Sequence, residues 1–379
     1  MRTVLLVALR GFGIAQSRGT LIRELCARGS RVLVFANRDA AAAQFDDNPA
    51  VEFIDAGFGR RIISPIADGR AVLRLARLLR TKRPTLIHFF NAKPTLLGLL
   101  ATRLTRCSAV SIATITGVGH AASGNRAVGY LVGRLYRLLL RTISLTIFQN
   151  PDDLALFRAN GWVPAGRTEL IIGSGVDTAR YRLPATASAV SRPCTVLMAS
   201  RLLRSKGVVD YLRAAKLVNT RQPGLRFLLA GESEPQHPDA IDEGVLQQEA
   251  HAAGVEFLGY RSDLDRLLPQ VDLVVLASYY REGVPRILLE AAACGVAAVT
   301  TDWPGCREAV AHGVTGLLVA PRDPAALADA IESLANDPAK LRQMGSAARN
   351  RVIEQFDMRR VIERHLGIYD ELLGSGGKT

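Results

Sequence analysis

Short apolar runs alternate with longer amphipathic stretches along almost the whole chain. In the first half the short runs predict strands, and stretches such as Gly19–Arg28 and Gly69–Thr81 predict the helices between them. The predicted strands are Val4–Leu9, Arg31–Phe35, Val51–Ile54, Leu86–Phe90, Val110–Thr114 and Leu145–Gln149. Strands that alternate with helices in this way are typical of βαβ units and a parallel sheet.

The same alternation starts again in the second half. Its predicted strands are Cys194–Ala199, Arg226–Ala230, Val255–Leu258, Leu273–Ala277, Ala297–Thr301 and Gly316–Val319. Between the two sets, Tyr181-Arg182-Leu183-Pro184 and an Ala/Ser/Thr-rich run to Pro193 favour a linker. We therefore predict an α/β fold with two Rossmann-like domains and a ligand cleft between them, at the carboxyl ends of the strands. One large doubly wound sheet is the alternative.

The chain length of 379 residues also favours two domains over one core. The predicted domains span residues 1–183 and 194–355. A final helix, over about residues 351–373, is expected to pack back across the first domain, so that residues 356–379 form a crossover helix and tail.

The composition excludes several classes of protein. An apolar content of 48% with 22% charged residues is typical of an ordered globular protein. No stretch approaches the roughly 20 uncharged apolar residues of a membrane span. The apolar run from Thr3 to Leu9 ends at Arg10 without a small-residue cleavage site, which favours a first strand over a signal peptide. Five cysteines without a C-x-x-C pair fit a reducing cytosol.

The positive charge is concentrated in one half of the chain. The chain carries +13 overall, yet residues 1–185 hold 26 Lys and Arg against 11 Asp and Glu, and the remainder is slightly acidic. This asymmetry predicts an anionic partner for the first half, such as membrane lipid, a phosphorylated substrate or nucleic acid.

Two glycines follow the first predicted strand, in Arg10-Gly11-Phe12-Gly13. A dinucleotide-binding fingerprint would need a third glycine where Gln16 stands, so that motif is absent. The segment is either an ordinary strand-to-helix turn or a loop whose backbone N–H groups approach a phosphate, and the sequence favours neither.

Two cations, Arg201 and Lys206, stand where the strand ending at Ser200 gives way to a helix predicted to start near Val208. Arginine binds phosphate oxygens bidentately and lysine acts as a point charge, so the pair suits a diphosphate. Two solvated surface charges are the alternative for the pair taken alone.

Two carboxylates, Glu282 and Glu290, are eight residues apart on either side of a helix start near Pro285, and that helix is expected to continue to Ala293. Glutamate commonly accepts hydrogen bonds from the vicinal hydroxyls of a sugar or ribose. Glu290 lies among apolar residues, and a carboxylate in such surroundings needs a partner. The backbone N–H groups at the helix start are candidates for binding phosphate or sugar oxygens; they belong to Gly283, Val284, Arg286 and Ile287.

Glu282 and Glu290, with Arg201 and Lys206 upstream, resemble the donor site of glycosyltransferase family 4, which has the GT-B fold. The similarity covers nearly the whole chain, since four further segments resemble family segments. These are residues 147–153, 173–177, 255–259 and 301–308. The form Arg281-Glu282-Gly283-Val284-Pro285-Arg286 resembles a branch that adds hexoses or N-acetylhexosamines to undecaprenyl-diphosphate-linked sugars in bacterial glycan assembly.

The resemblance implies retaining transfer from a UDP-sugar to a lipid-linked saccharide, without a metal or other cofactor. Glu282 would contact the donor sugar, Glu290 the ribose, and Arg201 with Lys206 the diphosphate of the leaving group. The loop of Phe257 and Leu258 would hold the nucleobase. Gly11 and Gly13 would lie across the cleft from the phosphates, and Pro285 would belong to the donor loop.

The first domain departs from the family pattern at one position. Many members carry a histidine near the reacting centre, where this chain has Thr116, and His120 follows four residues later. His120 is either a catalytic residue or a helix cap. Arg18 and Thr116 are the residues expected to bind the acceptor.

Basic residues share one face of the segment 126–141. On a helix, Arg126, Arg134, Arg137 and Arg141 fall within about an 80° sector, beside aliphatic residues and two tyrosines. Arg70, Arg74 and Arg77 share a face of an earlier helix. Either helix alone is typical of a solvated surface, but together they favour an anionic membrane, so we expect a cytoplasmic enzyme peripheral to the inner face of the cell membrane. Nucleic acid is disfavoured, because the first half lacks a stacking-aromatic pattern.

Two other functions use the same features. One is a GT-B-shaped epimerase or hydrolase that converts the UDP-sugar without an acceptor. The other is a regulator that binds the nucleotide without turnover.

Overall fold

The computed structural model describes residues 2–59, 64–118, 126–184 and 194–375. It divides into two compact units. Unit one comprises the chain up to Ser174 together with the segment from Val361 onward, and unit two comprises Gly175–Arg360. Each unit contains its own parallel sheet, so the prediction of two Rossmann-like domains is confirmed and the single-sheet alternative is wrong.

Unit one is built on a seven-stranded parallel sheet in the order β3-β2-β1-β4-β5-β6-β7. Its strands are β1 (Thr3–Arg10), β2 (Arg31–Asn37), β3 (Val51–Asp55), β4 (Leu86–Phe90), β5 (Val110–Ile115), β6 (Leu145–Phe148) and β7 (Thr168–Leu170). Its helices are α1 (Gly11–Ala27), α2 (Pro65–Lys82), α3 (Ala92–Thr105), α4 (Arg126–Leu139) and α5 (Pro151–Ala159), with short 3₁₀ turns at Ala40–Phe45 and Leu140–Thr142. The central strands are apolar on both faces because helices cover both sides of a parallel sheet.

Unit two repeats this plan with six parallel strands in the order β10-β9-β8-β11-β12-β13. The strands are β8 (Thr195–Ala199), β9 (Arg226–Ala230), β10 (Val255–Gly259), β11 (Leu273–Leu276), β12 (Ala297–Thr301) and β13 (Gly316–Val319). The helices are α6 (Val208–Arg221), α7 (Glu243–Ala252), α8 (Leu264–Leu267), α9 (Arg286–Ala293), α10 (Cys306–Ala309), α11 (Pro324–Ala335) and α12 (Pro338–Gln355), with 3₁₀ turns at Arg204–Lys206 and Leu268–Gln270. All twelve predicted strands are present, and β7 is one that the apolar pattern missed.

The start of α1 differs from the prediction. The helix begins at Gly11, directly after β1, so Arg10–Gly13 forms no separate loop. Asp39 explains this, because its carboxylate accepts a hydrogen bond from the N–H of Phe12 at 2.8 Å. A side chain at Gly11 would place its Cβ only 2.7 Å from Asp39 Oδ1, so glycine lets the helix start against this carboxylate.

The predicted final helix is two helices. Helix α12 ends at Gln355, and α13 spans Met358–Ser375. The break is fixed within unit two, where the N–H of Val176 donates to the carbonyl of Phe356 at 2.9 Å and Thr178 hydrogen-bonds the carboxylate of Asp357 at 2.5 Å. From Val361 onward α13 belongs to unit one, as predicted for a helix that returns to the first domain.

Candidate active site

The segment from Ser200 to Gly207 connects β8 to α6 at the carboxyl edge of the unit-two sheet. Gly207 has a φ of +77°, and a Cβ there would stand 2.0 Å from the carbonyl oxygen of Ala277, so a side chain is excluded. The N–H of Tyr279 donates to the carbonyl of Ser205 at 2.9 Å. The segment is therefore held directly against the end of the neighbouring strand β11.

Lys206 is a buried cation in this segment. Its side chain is 8% exposed, and its ammonium group forms an ion pair with Glu282. The ammonium also lies 5.4 Å from the centre of the Tyr280 ring. A buried charge needs a counter-ion. The segment that follows β11 supplies both the carboxylate of Glu282 and the aromatic face of Tyr280 that hold Lys206.

Arg201 approaches the same tyrosine. Its guanidinium lies 5.5 Å from the Tyr280 ring centre and 3.0 Å from a carboxylate oxygen of Glu234. Burial by itself would lower the pKa of Arg201, but the carboxylates of Glu234 and Glu282 together with Tyr280 outweigh it and raise that pKa. The structure thus brings Arg201, Lys206 and Glu282 together around Tyr280, and the sequence had pointed to those three residues but not to the tyrosine.

A second loop supports the backbone beside Glu282. Gly305 has a φ of +93°, and a Cβ there would stand 1.9 Å from the carbonyl oxygen of Gly283. The N–H of Gly305 donates to the Glu308 carboxylate at 2.6 Å, which fixes the loop. Gly305 therefore allows the two backbones to meet at the predicted donor-sugar segment.

Helix α9 begins at Arg286 with Pro285 at its N-cap position, as predicted. The first-turn N–H groups of Arg286 and Ile287 consequently have no acceptor within the helix. Val284 is buried in the core of unit two, and Gly283 is buried as well. The helix start thus keeps the apolar side chains of Val284 and Ile287 in the core of unit two.

Glu290 is the buried carboxylate of α9, with a side chain only 7% exposed. Arg286, one turn earlier, donates to its Oε1 at 3.0 Å. The charge of Glu290 also acts on Tyr181, because burial, with the Glu290 charge next in size, raises the pKa of that tyrosine. Glu290 thus has the partners that its apolar surroundings demand.

The residues predicted to hold the base lie on the outermost strand of this sheet. Phe257 and Leu258 are half-buried in β10 and contact the core of unit two. The strand ends at Gly259, whose carbonyl accepts from the N–H of Gly231 at 2.9 Å. Their role with a nucleobase stays a prediction.

Sequence reasoning missed three residues of this site: Glu234, Tyr280 and Tyr181. Glu234 and Tyr280 each come shortly after a predicted strand, which was an available signal, because strand ends of parallel sheets carry the functional groups. Tyr181 lies in the stretch predicted as a linker, and nothing in its local pattern indicates a contact with Glu290.

In unit one, Gly11 is buried and Gly13 is exposed in the first turn of α1. Arg18, further along that helix, is buried, and its guanidinium lies 4.8 Å from the centre of the Phe90 ring. This cation is buried, and its role with an acceptor stays a prediction.

One buried residue, His88, links the sheet of unit one to α13. His88 of β4 hydrogen-bonds Tyr369 of α13 through Nδ1 and Thr114 of β5 through Nε2, the latter at 2.7 Å. Burial, followed by the charges of His365 and Arg18, holds the pKa of His88 well below its usual value. The neutral ring therefore serves as a buried link in the fold.

Thr116 follows β5 and accepts a hydrogen bond from the side-chain amide of Asn91 at 2.6 Å. Asn91, at the end of β4, has a φ of +71°, a conformation that costs free energy for any residue other than glycine. The pair lies at the carboxyl edge of the unit-one sheet. His120 lies outside the described residues, so its predicted role is untested.

Helices α2, α3 and α4 form a basic surface of unit one, which we call the three-helix face. Helix α3 contacts both α2 and α4, and Arg103 donates to the carbonyl of Leu138 at 2.9 Å. Asp68 is the only acidic residue in these helices, and it is buried and paired with Lys93 at 2.8 Å. The exposed arginine and large apolar side chains of the face are Ile66, Arg70, Leu73, Arg74, Arg77, Arg80, Leu100, Arg103, Leu104, Tyr130, Leu131, Arg134, Leu135, Arg137 and Leu138.

Arg134 and Arg137 are exposed on α4, as expected for the predicted basic stripe, and Arg141 is exposed in the turn that follows. Arg126 begins the helix, and its side chain lies outside the described residues. Arg137 also donates to the carbonyl of Asn160 at 3.0 Å, so it has a structural contact as well. Leu131, Leu135 and Leu138 of the same helix are exposed as well.

Across residues 2–59, 64–118, 126–184 and 194–375, no group of three or more His, Cys, Asp or Glu side chains converges as a metal site. Asp263 and Asp265 have close spacing, but Arg261 holds the first at 2.7 Å and Arg180 holds the second at 3.2 Å. None of the helices described is long and apolar enough to cross a membrane.

Two family models match the chain. Residues 12–172 match the glycosyl transferase 4-like domain, and residues 185–351 match the glycosyl transferases group 1 model. A glycogen synthase of Mycobacterium tuberculosis is 31% identical over 311 residues, which are 79% of this chain and 72% of the relative. The N,N'-diacetylbacillosaminyl-diphospho-undecaprenol alpha-1,3-N-acetylgalactosaminyltransferase of Campylobacter jejuni is 26% identical over 96% of this chain and 97% of its own length.

Solved structures show the same fold. Sucrose-phosphate synthase from Thermosynechococcus elongatus aligns with a TM-score of 0.80 at 22% identity, over 99% of this chain and 100% of that one. HepE of Anabaena, solved with UDP-glucose, aligns with a TM-score of 0.80 at 22% identity, over 98% of this chain and 100% of that one. With the two family models covering both halves, the chain belongs to the group 1, family 4-like glycosyltransferases and has the GT-B fold.

Proposed function

We propose that this glycosyltransferase moves a hexose or N-acetylhexosamine from a UDP-sugar to an undecaprenyl-diphosphate-linked saccharide, with retention of anomeric configuration. The observation that carries the proposal is the arrangement of Arg201 and Lys206 around Tyr280, beside Glu282, at the carboxyl edge of the unit-two sheet. Two cations at the junction of a strand and a helix suit a diphosphate, and an adjacent carboxylate suits sugar hydroxyls.

In this proposal each part of the donor has its own residues. Arg201 and Lys206 bind the diphosphate, Glu282 accepts from the donor-sugar hydroxyls, and Glu290 accepts from the ribose. Phe257 and Leu258 line the base. The site uses no metal or other cofactor, because the two cations supply the positive charge that a diphosphate leaving group requires.

The chemical step breaks the bond between the anomeric carbon and the UDP oxygen, and the electron pair leaves with UDP. Arg201 and Lys206 stabilise the charge that develops on that oxygen. The acceptor hydroxyl forms the new bond on the same face of the sugar, and its proton passes to the departing diphosphate. This front-side course retains configuration and needs no protein nucleophile.

The relatives support the substrate classes. The Campylobacter jejuni relative is named for transfer of N-acetylgalactosamine to a diphospho-undecaprenol-linked sugar, and it aligns over nearly its whole length. The Anabaena HepE structure holds UDP-glucose within the same fold. These likenesses favour UDP as the nucleotide and a lipid-linked saccharide as the acceptor.

A transfer assay tests the proposal. Purified protein is incubated with a panel of UDP-sugars, with and without short-chain undecaprenyl-diphosphate glycans, and products are separated by mass. We expect one UDP-sugar to be consumed only when acceptor is present, with an α-linked product from an α-linked donor. Conversion without acceptor would identify an epimerase or hydrolase instead, and UDP binding without turnover would identify a regulator.

We further propose that the three-helix face binds the inner surface of the cell membrane, where the lipid-linked acceptor resides. Its arginines carry the charge that anionic headgroups attract, and its exposed leucines can enter the boundary between headgroups and acyl chains. The absence of any exposed acidic side chain on these three helices, within their described residues, supports this partner.

Vesicle co-sedimentation tests this surface. Wild-type protein should sediment with phosphatidylglycerol-containing vesicles at low salt and less so at high salt, because salt screens the arginines. Substituting both Leu131 and Leu135 with aspartate should lower the partition coefficient between vesicles and solution about ten-fold or more. The double variant loses apolar burial and gains negative charges that anionic lipid repels.

The matched control is Ile353→Asp, at an exposed position of α12 in unit two, which should sediment like the wild type. Wild-type protein that stays in solution at low salt, or a double variant that binds as well as the control, would refute the membrane surface.

A further inference from the structure

Both cations assigned to the diphosphate are already paired with carboxylates of unit two. Arg201 lies 3.0 Å from Glu234, and Lys206 is paired with Glu282. Around the Tyr280 ring the two positive charges are therefore balanced by two negative ones. A diphosphate that binds here has to replace a carboxylate or tolerate it nearby.

The side chain of Glu234 is largely buried beside Arg201. Its side chain is 15% exposed, whereas that of Arg201 is 40% exposed, so the carboxylate is the more buried member of the pair. It belongs to the segment after β9, residues 232–241, which has no regular secondary structure apart from one bridge between Leu203 and Ala240.

Backbone hydrogen bonds fasten that segment to the stretch between the two cations. The N–H of Leu202 donates to the carbonyl of Glu232 at 3.0 Å, and the N–H of Arg204 donates to that of Asp239 at 3.0 Å. A side chain at Gly231 would place its Cβ 2.0 Å from the Ser200 carbonyl oxygen, so glycine is needed where the segment leaves β9. Both ends of the segment are thereby fixed, and Glu234 is held at Arg201.

We propose that Glu234 is a built-in competitor for the donor's diphosphate at Arg201, which weakens nucleotide binding and speeds release of UDP. The inference rests on the proposed function, because it takes UDP as the leaving group. When Glu234 occupies Arg201, the apparent affinity for UDP is the intrinsic affinity multiplied by the fraction of time that Arg201 is free. Faster release of product raises turnover wherever release limits it.

Calorimetric titration of the full chain with UDP and with uridine tests the competition. Glu234→Gln keeps the shape of the side chain and removes its charge. We expect this variant to bind UDP about five- to ten-fold more tightly than wild type. This range is expected when a partly exposed ion pair is lost and the Glu234 carboxylate no longer repels the phosphates. Uridine has no phosphate, so its affinity should be unchanged. The UDP inhibition constant in the transfer assay should fall by the same factor.

Glu232→Gln is the matched control. Glu232 is exposed, two residues away on the same segment, and its backbone contact survives the substitution. It should bind UDP like wild type. Equal or weaker UDP binding by Glu234→Gln overturns the competition, and so does equal tightening for uridine, which would locate the change away from the diphosphate. A folded wild-type protein that binds no UDP refutes the proposed donor and this inference with it, a result distinct from the other two.

Discussion

Glu282→Gln is expected to lower the transfer rate about 100- to 1,000-fold while UDP binding is retained or tightened. The substitution removes the carboxylate proposed to hold the donor sugar, and losses of this size are typical for one electrostatic group aimed at the reacting centre. It also removes the partner of Lys206, so the ammonium group becomes available to phosphate. Steady-state kinetics with UDP titration measures both effects.

Stability has to be followed in the same variant, because the side chain of Lys206 is only 8% exposed and loses its counter-ion. A melting curve with and without UDP separates a folding defect from a catalytic one, since a bound ligand stabilises by mass action. Glu256→Gln, in an exposed pair with Arg226, is the control and should leave rate and binding unchanged. Wild-type turnover by a folded Glu282→Gln protein would remove its proposed role.

Lys206→Met is expected to lower the transfer rate by a similar 100- to 1,000-fold, but with UDP binding weakened by about ten-fold or more. Methionine keeps most of the length and apolar stem of lysine, so the substitution tests the charge. The loss of UDP affinity distinguishes this variant from Glu282→Gln, in which the cation remains.

Lys216→Met, at an exposed position of α6, provides the comparison and should behave as wild type. Because Lys206 and Glu282 form one ion pair, the double variant should lose less than the two single losses multiplied together. Unchanged UDP affinity in Lys206→Met would mean that the cation does not bind the diphosphate.

Most of the two sheets could be predicted from local pattern. Strands buried on both faces are continuous apolar runs, and the amphipathic helices between them repeat on a different period, so β1 or β11 is recognisable without its neighbours. The short strand β7 was missed because Thr168–Leu170 is half-exposed and too brief to form a pattern.

Helix ends were harder to predict where a distant residue decides them. Helix α1 begins at Gly11 because Asp39, 27 residues from Phe12, caps the first turn. The break between α12 and α13 depends on contacts of Phe356 and Asp357 with a segment near residue 176. Neither partner is visible in the local sequence.

In the candidate site, too, some features follow from local sequence and others depend on distant contacts. The types and order of Arg201, Lys206, Glu282 and Glu290, together with their resemblance to a family donor site, predict a cluster that suits a diphosphate and a sugar, because charge, helix starts and strand ends are local properties. The pairing of those charges is not local: Glu234 meets Arg201 across 33 positions, and Lys206 meets Glu282 across 76. Only the folded sheet, which brings the ends of β8, β9 and β11 to one edge, decides which carboxylate neutralises which cation and places Tyr280 between the two cations.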